Sequence, residues 1–293
     1  MKDKYQTVGW QHFKFKIPSE WDLVKEYGHQ NKGYLRYDDL DQARLELKWN
    51  RVKNSFKLLD FVTKHALEIG WENSPLKKLS NDNSIFSIEN RNKDINQEVI
   101  FIRPNQPKSR LAVFRMFYKI NENGSKIVKN ICNSFEENLN QPNSMWSYFD
   151  NSYELPSIYE KVDAQINAGN KFLTFNHRNK FVYVRTISLV SHFCPFKPIT
   201  KGNINQWIQQ ILENQFNKEL KLGQWDFLSN QVTTKTSFSG RFLLKNIFHF
   251  CHHWKIMASH DGQADILKIA IFNFRNEKHL KSFKDLKELV AIE

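Results

Sequence analysis

Apolar and polar residues alternate along this chain with a period that keeps changing, and each change marks an element. In "HFKFKIP" (12–18), "GYLRYDD" (33–39) and "ARLELKWNRV" (43–52), apolar side chains recur at every second position, which predicts strands with one buried face. Over "SFKLLDFVTKHALEIG" (55–70) the period lengthens. Phe56, Leu59, Phe61, Val62, Ala66, Leu67 and Ile69 form a stripe at three-to-four spacing that ends at Gly70, a residue suited to closing a helix. "SIFSIEN" (84–90) predicts another strand, and "EVIFIRPNQPKSRLAVFRMFYKI" (98–120) two strands around a proline-containing turn. "EVIFI" and "LAVFRMFY" are apolar at consecutive positions, so both faces of their sheet need covering. "SKIVKNICNSFEENL" (125–139) predicts a closing helix, with Ser125 placed to cap its first amides.

The same order then recurs. "HFKFKIPSEWDLV" (12–24) parallels "DNSYELPSIYEKV" (150–162), matching Ile17-Pro18-Ser19-x-Trp21 to Leu155-Pro156-Ser157-x-Tyr159. "KFLTFNH" (171–177) and "KFVYVRTISL" (180–189) follow as strands, and "NINQWIQQILENQF" (203–216) as a helix with Ile204, Trp207, Ile208, Ile211 and Leu212 on one stripe. "GRFLLKN" (240–246) predicts a strand, "HHWKIMASHDGQADILKIAIFNF" (252–274) a strand pair around Asp261-Gly262, and "EKHLKSFKDLKELV" (277–290) a last helix. The polar "NLNQPNSMW" (138–146) is the natural linker.

An aromatic strand running into a proline corner and a further aromatic, "FKFKIPSEW" (13–21), then short strands, a helix, an antiparallel meander and a C-terminal helix, resembles the Mog1/PsbP-like fold, here in tandem. That resemblance implies small αβα sandwiches used mostly as adaptors, with no shared catalytic constellation to transfer. The expected architecture is α+β: an internal duplication giving two tandem αβα-sandwich domains, 1–140 and 145–293, each an antiparallel sheet with helices packed on its faces.

Composition narrows the function classes. Hydrophobic residues make up 40% of the 293, with 24 Phe, 9 Tyr and 8 Trp, which is enough apolar surface for a packed core. Net charge is +12, and it is spread evenly: 24 basic against 18 acidic residues up to position 140, then 19 against 13, so each half carries +6. Three well-separated cysteines, Cys132, Cys194 and Cys251, argue for reduced thiols and a cytoplasmic setting. No run approaches the roughly eighteen apolar residues of a membrane helix, so no membrane partner is expected. With 10 glycines and no phosphate-binding or hydrolase motif, no cofactor is expected either.

Four constellations remain. His192, Cys194, His249, Cys251 and His253 are zinc-type ligands, but an x1 spacing on a strand splays side chains where structural zinc wants a tight knuckle, and the reading as ordinary strand residues weighs more. Arg103, Lys108, Arg110 and Arg115, interleaved with Phe101, Phe114 and Phe117, form a basic hairpin that would hold phosphates and stack bases, against the plainer reading of core aromatics with cations at a hairpin tip. Asp38, Asp39 and Asp41 fall in a polar turn between strands. An enzymatic site between the halves would draw on His192, His253 and Asp261. The leading expectation is a non-catalytic adaptor that binds a protein partner through a joint surface of its two copies, with nucleic-acid binding and hydrolase-like catalysis as alternatives.

Overall fold

The computed structural model describes residues 4–82, 84–91, 96–104, 108–119, 122, 124–148, 151–167, 169–178, 180–216, 226–228, 232–241 and 250–274. The chain forms two compact units, Met1–Ser157 and Ile158–Glu293. The first runs β1 (Tyr5–Trp10), β2 (Phe13–Pro18), β3 (Asp22–His29), β4 (Lys32–Asp38), β5 (Ala43–Arg51), α1 (Leu58–Glu68), β6 (Leu76–Lys78), β7 (Ile85–Arg91), β8 (Asn96–Ile102), β9 (Arg110–Tyr118), α2 (Ser125–Ser134), β10 (Glu136–Glu137), β11 (Asn143–Tyr148) and β12 (Asn151–Pro156). The second runs β13 (Glu160–Asn167), β14 (Asn170–His177), β15 (Lys180–Ser188), α3 (Val190–Phe193), α4 (Lys201–Phe216), β16 (Asp226–Leu228), β17 (Val232–Arg241), β18 (Phe250–Asp261) and β19 (Ile266–Phe274).

Each unit is built on a seven-stranded antiparallel sheet, and the two strand orders are the same: β3-β4-β5-β9-β8-β7-β6 and β13-β14-β15-β19-β18-β17-β16. The copies agree down to an irregularity. Edge strand β3 bulges between Leu23 and Lys25, and edge strand β13 bulges between Lys161 and Asp163, 138 positions later in both cases. Such bulges twist an edge away from further pairing.

The central strands β8 and β9 of the first sheet bury residues on both faces, and the two faces are covered differently. One carries α1, whose Leu58, Val62 and Ala66 pack with Phe86, Val99, Phe101 and Leu111. This helix closes on a Schellman turn: Gly70, at φ +72°, donates to Leu67 O and Trp71 N–H to Ala66 O. The other face carries the β1–β2 hairpin, with Phe15 edge-on to Phe114 and Phe13 against Trp49, and beside it α2. Trp21, at the corner after Pro18, is buried under the Arg44 guanidinium.

These observations correct the expected α+β architecture of αβα sandwiches. Among the described residues there are nineteen strands and four helices, and the chain is a β-rich fold of antiparallel sheets. The physical reason lies in the hairpin. Phe13, Phe15 and Ile17 give it an apolar face wide enough to cover sheet surface that a sandwich would leave to helices.

Other expectations shift locally. The strand expected at 240–246 runs instead over Val232–Arg241, paired along β18, and 242–246 lie outside the described residues, as does the helix expected at 277–290. Ser125 is the first residue of α2 rather than its cap, which is Gly124. The expected linker is strand from Asn143 onward, because β11 packs Trp146 and Tyr148 against Trp10. In the second unit α4 lays Ile204, Trp207, Ile208 and Leu212 over Ile256, Ala258, Leu267 and Ile269.

Candidate functional site

The four cations of the basic hairpin do not converge. Arg110 is 2% exposed, and each side-chain nitrogen donates inward: Nε to Glu137 Oε1 (2.6 Å), Nη1 to Gln30 O (2.8 Å) and Nη2 to Gln11 O (2.8 Å), with the guanidinium 3.6 Å above the Phe13 ring. It staples β9 to β10 and to the turns after β1 and β3. Arg103 donates to Phe56 O (3.0 Å), Arg115 donates to Gln97 Oε1 (2.8 Å), and Lys108 sits exposed in the turn. Arg115 pairs opposite Val99, four positions before Arg103, a separation of about 13 Å along the strand.

Of the zinc-type residues, Cys194 is buried in the apolar cluster under α4, and His192 is exposed on α3. Cys251 and His253 occupy β18 positions opposite Gly240 and Phe238, and His249 lies outside the described residues. Among the described residues no group of three or more His, Cys, Asp or Glu side chains is placed to hold a metal ion. Asp39 Oδ1 accepts from the amides of Asp41 and Gln42, and Asp261 Oδ1 from those of Gln263 and Ala264, so both are turn-forming carboxylates.

A serine and a histidine do meet in the first unit: Ser144 Oγ lies 3.0 Å from His12 Nδ1. The bonds around them fix the direction of the proton. The Gln30 amide donates to His12 Nε2 (3.3 Å), so the neutral ring carries its hydrogen on Nδ1 and donates to Ser144, which donates to Ser157 Oγ (3.1 Å), which donates to Gln141 O (2.6 Å). Burial and the nearby Arg110 charge keep the ring pKa below its ordinary value. A histidine that donates to the serine cannot take its proton, so this chain of bonds is structural.

The first unit also holds a cavity of about 340 Å³ between α2 and the end of the sheet formed by β6, β7, β8 and β9. Strand alternation puts Asn96 and Glu98 on the α2 face, and register sets Asn96 opposite Tyr118 and Glu98 opposite Glu89. Glu98 is 7% exposed and receives the Tyr118 hydroxyl at 3.3 Å. Ser87 also leans on it without completing a hydrogen bond. Lys77 Nζ bridges to Glu89 Oε2 at 2.6 Å, and the third carboxylate, Glu122, receives Arg44 Nη2 on both oxygens (2.5 and 2.6 Å). The Asn96 Oδ1 atom is buried without a donor. Leu79, Val128 and Cys132 supply apolar wall.

The electrostatics follow from this wall. Burial, and then the Glu89 carboxylate across the strand, raise the Glu98 pKa above the ordinary carboxyl range. Burial, then Glu98, push the Tyr118 hydroxyl well up and the Cys132 thiol up to about 12, so neither is a nucleophile at neutral pH. Gly124 opens α2 where any Cβ would lie 2.2 Å from the Tyr118 ring, so the ring and the helix start fit together only around glycine.

Sequence reasoning passed over this cavity, although phase held a signal. Glu98 lies in step with the buried Ile100 and Ile102, as Arg110 lies in step with Ala112, Phe114 and Met116. A charge in phase with a core face is either paired or part of a site. Compared with known proteins, the chain matches no family model, and no curated protein sequence matches it.

Proposed function

We propose that this chain is a non-catalytic binding protein whose first unit receives a small ligand in the cavity under α2. The observation that carries the reading is the cavity itself, about 340 Å³, of the size that encloses small ligands, with a few polar groups converging between apolar walls. The inward-donating histidine chain and the protonated Cys132 speak for binding over nucleophilic chemistry. The resemblance to Mog1/PsbP-like adaptors, resting on the proline corner and the order of elements, points the same way, and the free thiols of Cys132 and Cys194 suit a cytoplasmic setting. Among the described residues, no helix is long and apolar enough to cross a membrane. A fragment screen followed by amide-resolved NMR tests the site. Fragments should perturb Glu98, Tyr118, Val128 and Cys132 together, and a screen in which no fragment moves these residues contradicts it.

A protein partner is the second reading. It is favoured by Leu59 and Leu67, which are 48% and 60% exposed and lie two turns apart along the outer side of α1. Loss of a co-purifying partner in Leu67→Glu, with the partner retained in Glu98→Gln, selects this reading over the first.

A further inference from the structure

Resting on the reading of the cavity as a binding site, the acceptor inventory of its wall identifies the ligand class. Charges there are already matched except at one place. Lys77 is neutralised by Glu89, Glu122 is held by Arg44 and by the Lys119 amide, and Lys129 is exposed at the rim. Glu98 is left inside with one hydrogen bond, from the neutral Tyr118 hydroxyl, beside the leaning Ser87, and its nearby cation, Lys77, is already bridged to Glu89. Two positions along the same face of β8, Asn96 Oδ1 is a buried acceptor with no donor. Tyr118, opposite Asn96, spends its hydrogen on Glu98 and keeps its oxygen lone pairs.

A buried carboxylate and a buried acceptor call for donors. An anion would instead have to approach the two carboxylates, Glu89 and Glu98, that face each other across the strands. A buried ion pair is favourable only when the remaining hydrogen bonds of both ions are met. A primary ammonium group carries three N–H donors, and the Glu98 carboxylate, Asn96 Oδ1 and Tyr118 Oη present three acceptors at neighbouring register positions. Leu79, Val128 and Cys132 leave the rest of the space to a short apolar chain, for which a cavity of about 340 Å³ has room.

We infer that the cavity under α2 is a site for a primary ammonium group on a short apolar chain, with Glu98 as its counter-ion and Asn96 and Tyr118 as its further acceptors. Isothermal titration of the full chain with n-butylammonium, n-butanol and n-butyrate tests it. The amine binds, the alcohol and the acid bind at least tenfold more weakly, Glu98→Gln lowers amine affinity at least tenfold, and Asn96→Ala lowers it several-fold. Urea unfolding of both variants shows that each is folded. Amine affinity unchanged in a folded Glu98→Gln, tighter binding of the acid or the alcohol, or no binding of the amine overturns the inference. If any of these occurs while the fragment screen still maps to the cavity, the binding-site reading stands and only the ligand class falls. A silent screen removes both.

Discussion

The two seven-stranded sheets share strand order, the bulged edge and a helix over one face, yet the same corner of each carries different chemistry. Equivalent positions follow from the registers. Where Glu98 pairs with Met116 and Glu89 in the first sheet, Lys255 pairs with Phe272 and Thr236 in the second. The place of Asn96, opposite Tyr118, is taken by His253, opposite Phe274, and that of Lys77, opposite Ser87, by Asp226, opposite Thr234. The stapling Arg110, opposite Arg51, becomes Ile266, opposite Ser188. A cavity of about 190 Å³ in the second unit lies under α4, the counterpart of α1, and so on the other face of its sheet. Ile204, Ile208, Ala258 and Leu267 line it together with Lys201, Ser259 and His260. Duplication kept the apolar positions that hold the sheets and left the polar ones free, so the amine site belongs to the first copy.

That contrast is broken most forcefully at Arg110. Arg110→Ala leaves Glu137 buried without its cation and is expected to cost about 3–5 kcal/mol, read as a fall in the urea midpoint of the first unit. Ile266→Ala at the equivalent position should cost less, since Ile266 is only half-buried, and equal costs would remove the distinction between the copies.

Gly124→Ala comes next. A methyl 2.2 Å from the Tyr118 ring forces ring or helix to move, at about 1–3 kcal/mol, and butylammonium binding should weaken with it. Unchanged stability and unchanged binding would show that the α2 start is looser than its geometry implies.

The smallest effect sharpens the electrostatic difference. Glu98 has a raised folded pKa, so its protonated form stabilises the first unit. That stability is full below the ordinary carboxyl pKa and is lost as pH rises through the elevated one. Glu98→Gln should therefore raise the urea midpoint at about pH 8, leave it unchanged near about pH 3 and flatten the pH dependence between them. Lys255→Gln should leave that dependence in place.

Much of the scaffold was legible because period is a backbone property. Alternation located β2, β4, β5, β14 and β15, and the three-to-four stripe found α1 up to the Gly70 closure. Duplication was legible through Pro18 with Trp21 and Pro156 with Tyr159, whose aromatics are buried in both copies. The architecture was misjudged because "HFKFKIP" reveals that it has an apolar face and not what that face covers. The basic hairpin misled for a related reason: Arg103, Lys108, Arg110 and Arg115 are close in sequence, but one turns into the core and the others separate along the strands. The site was missed because Lys77, Glu89, Asn96, Glu98 and Tyr118 come from four strands, and only register brings them to one wall.

The most direct test of an amine site confined to the first copy is an amide-resolved NMR titration of the full chain with n-butylammonium. Shifts should be confined to β6, β7, β8, the end of β9 and α2, saturate together, and vanish in Glu98→Gln. Shifts centred on β16 to β19, or shifts in the first unit that survive Glu98→Gln, would contradict the account.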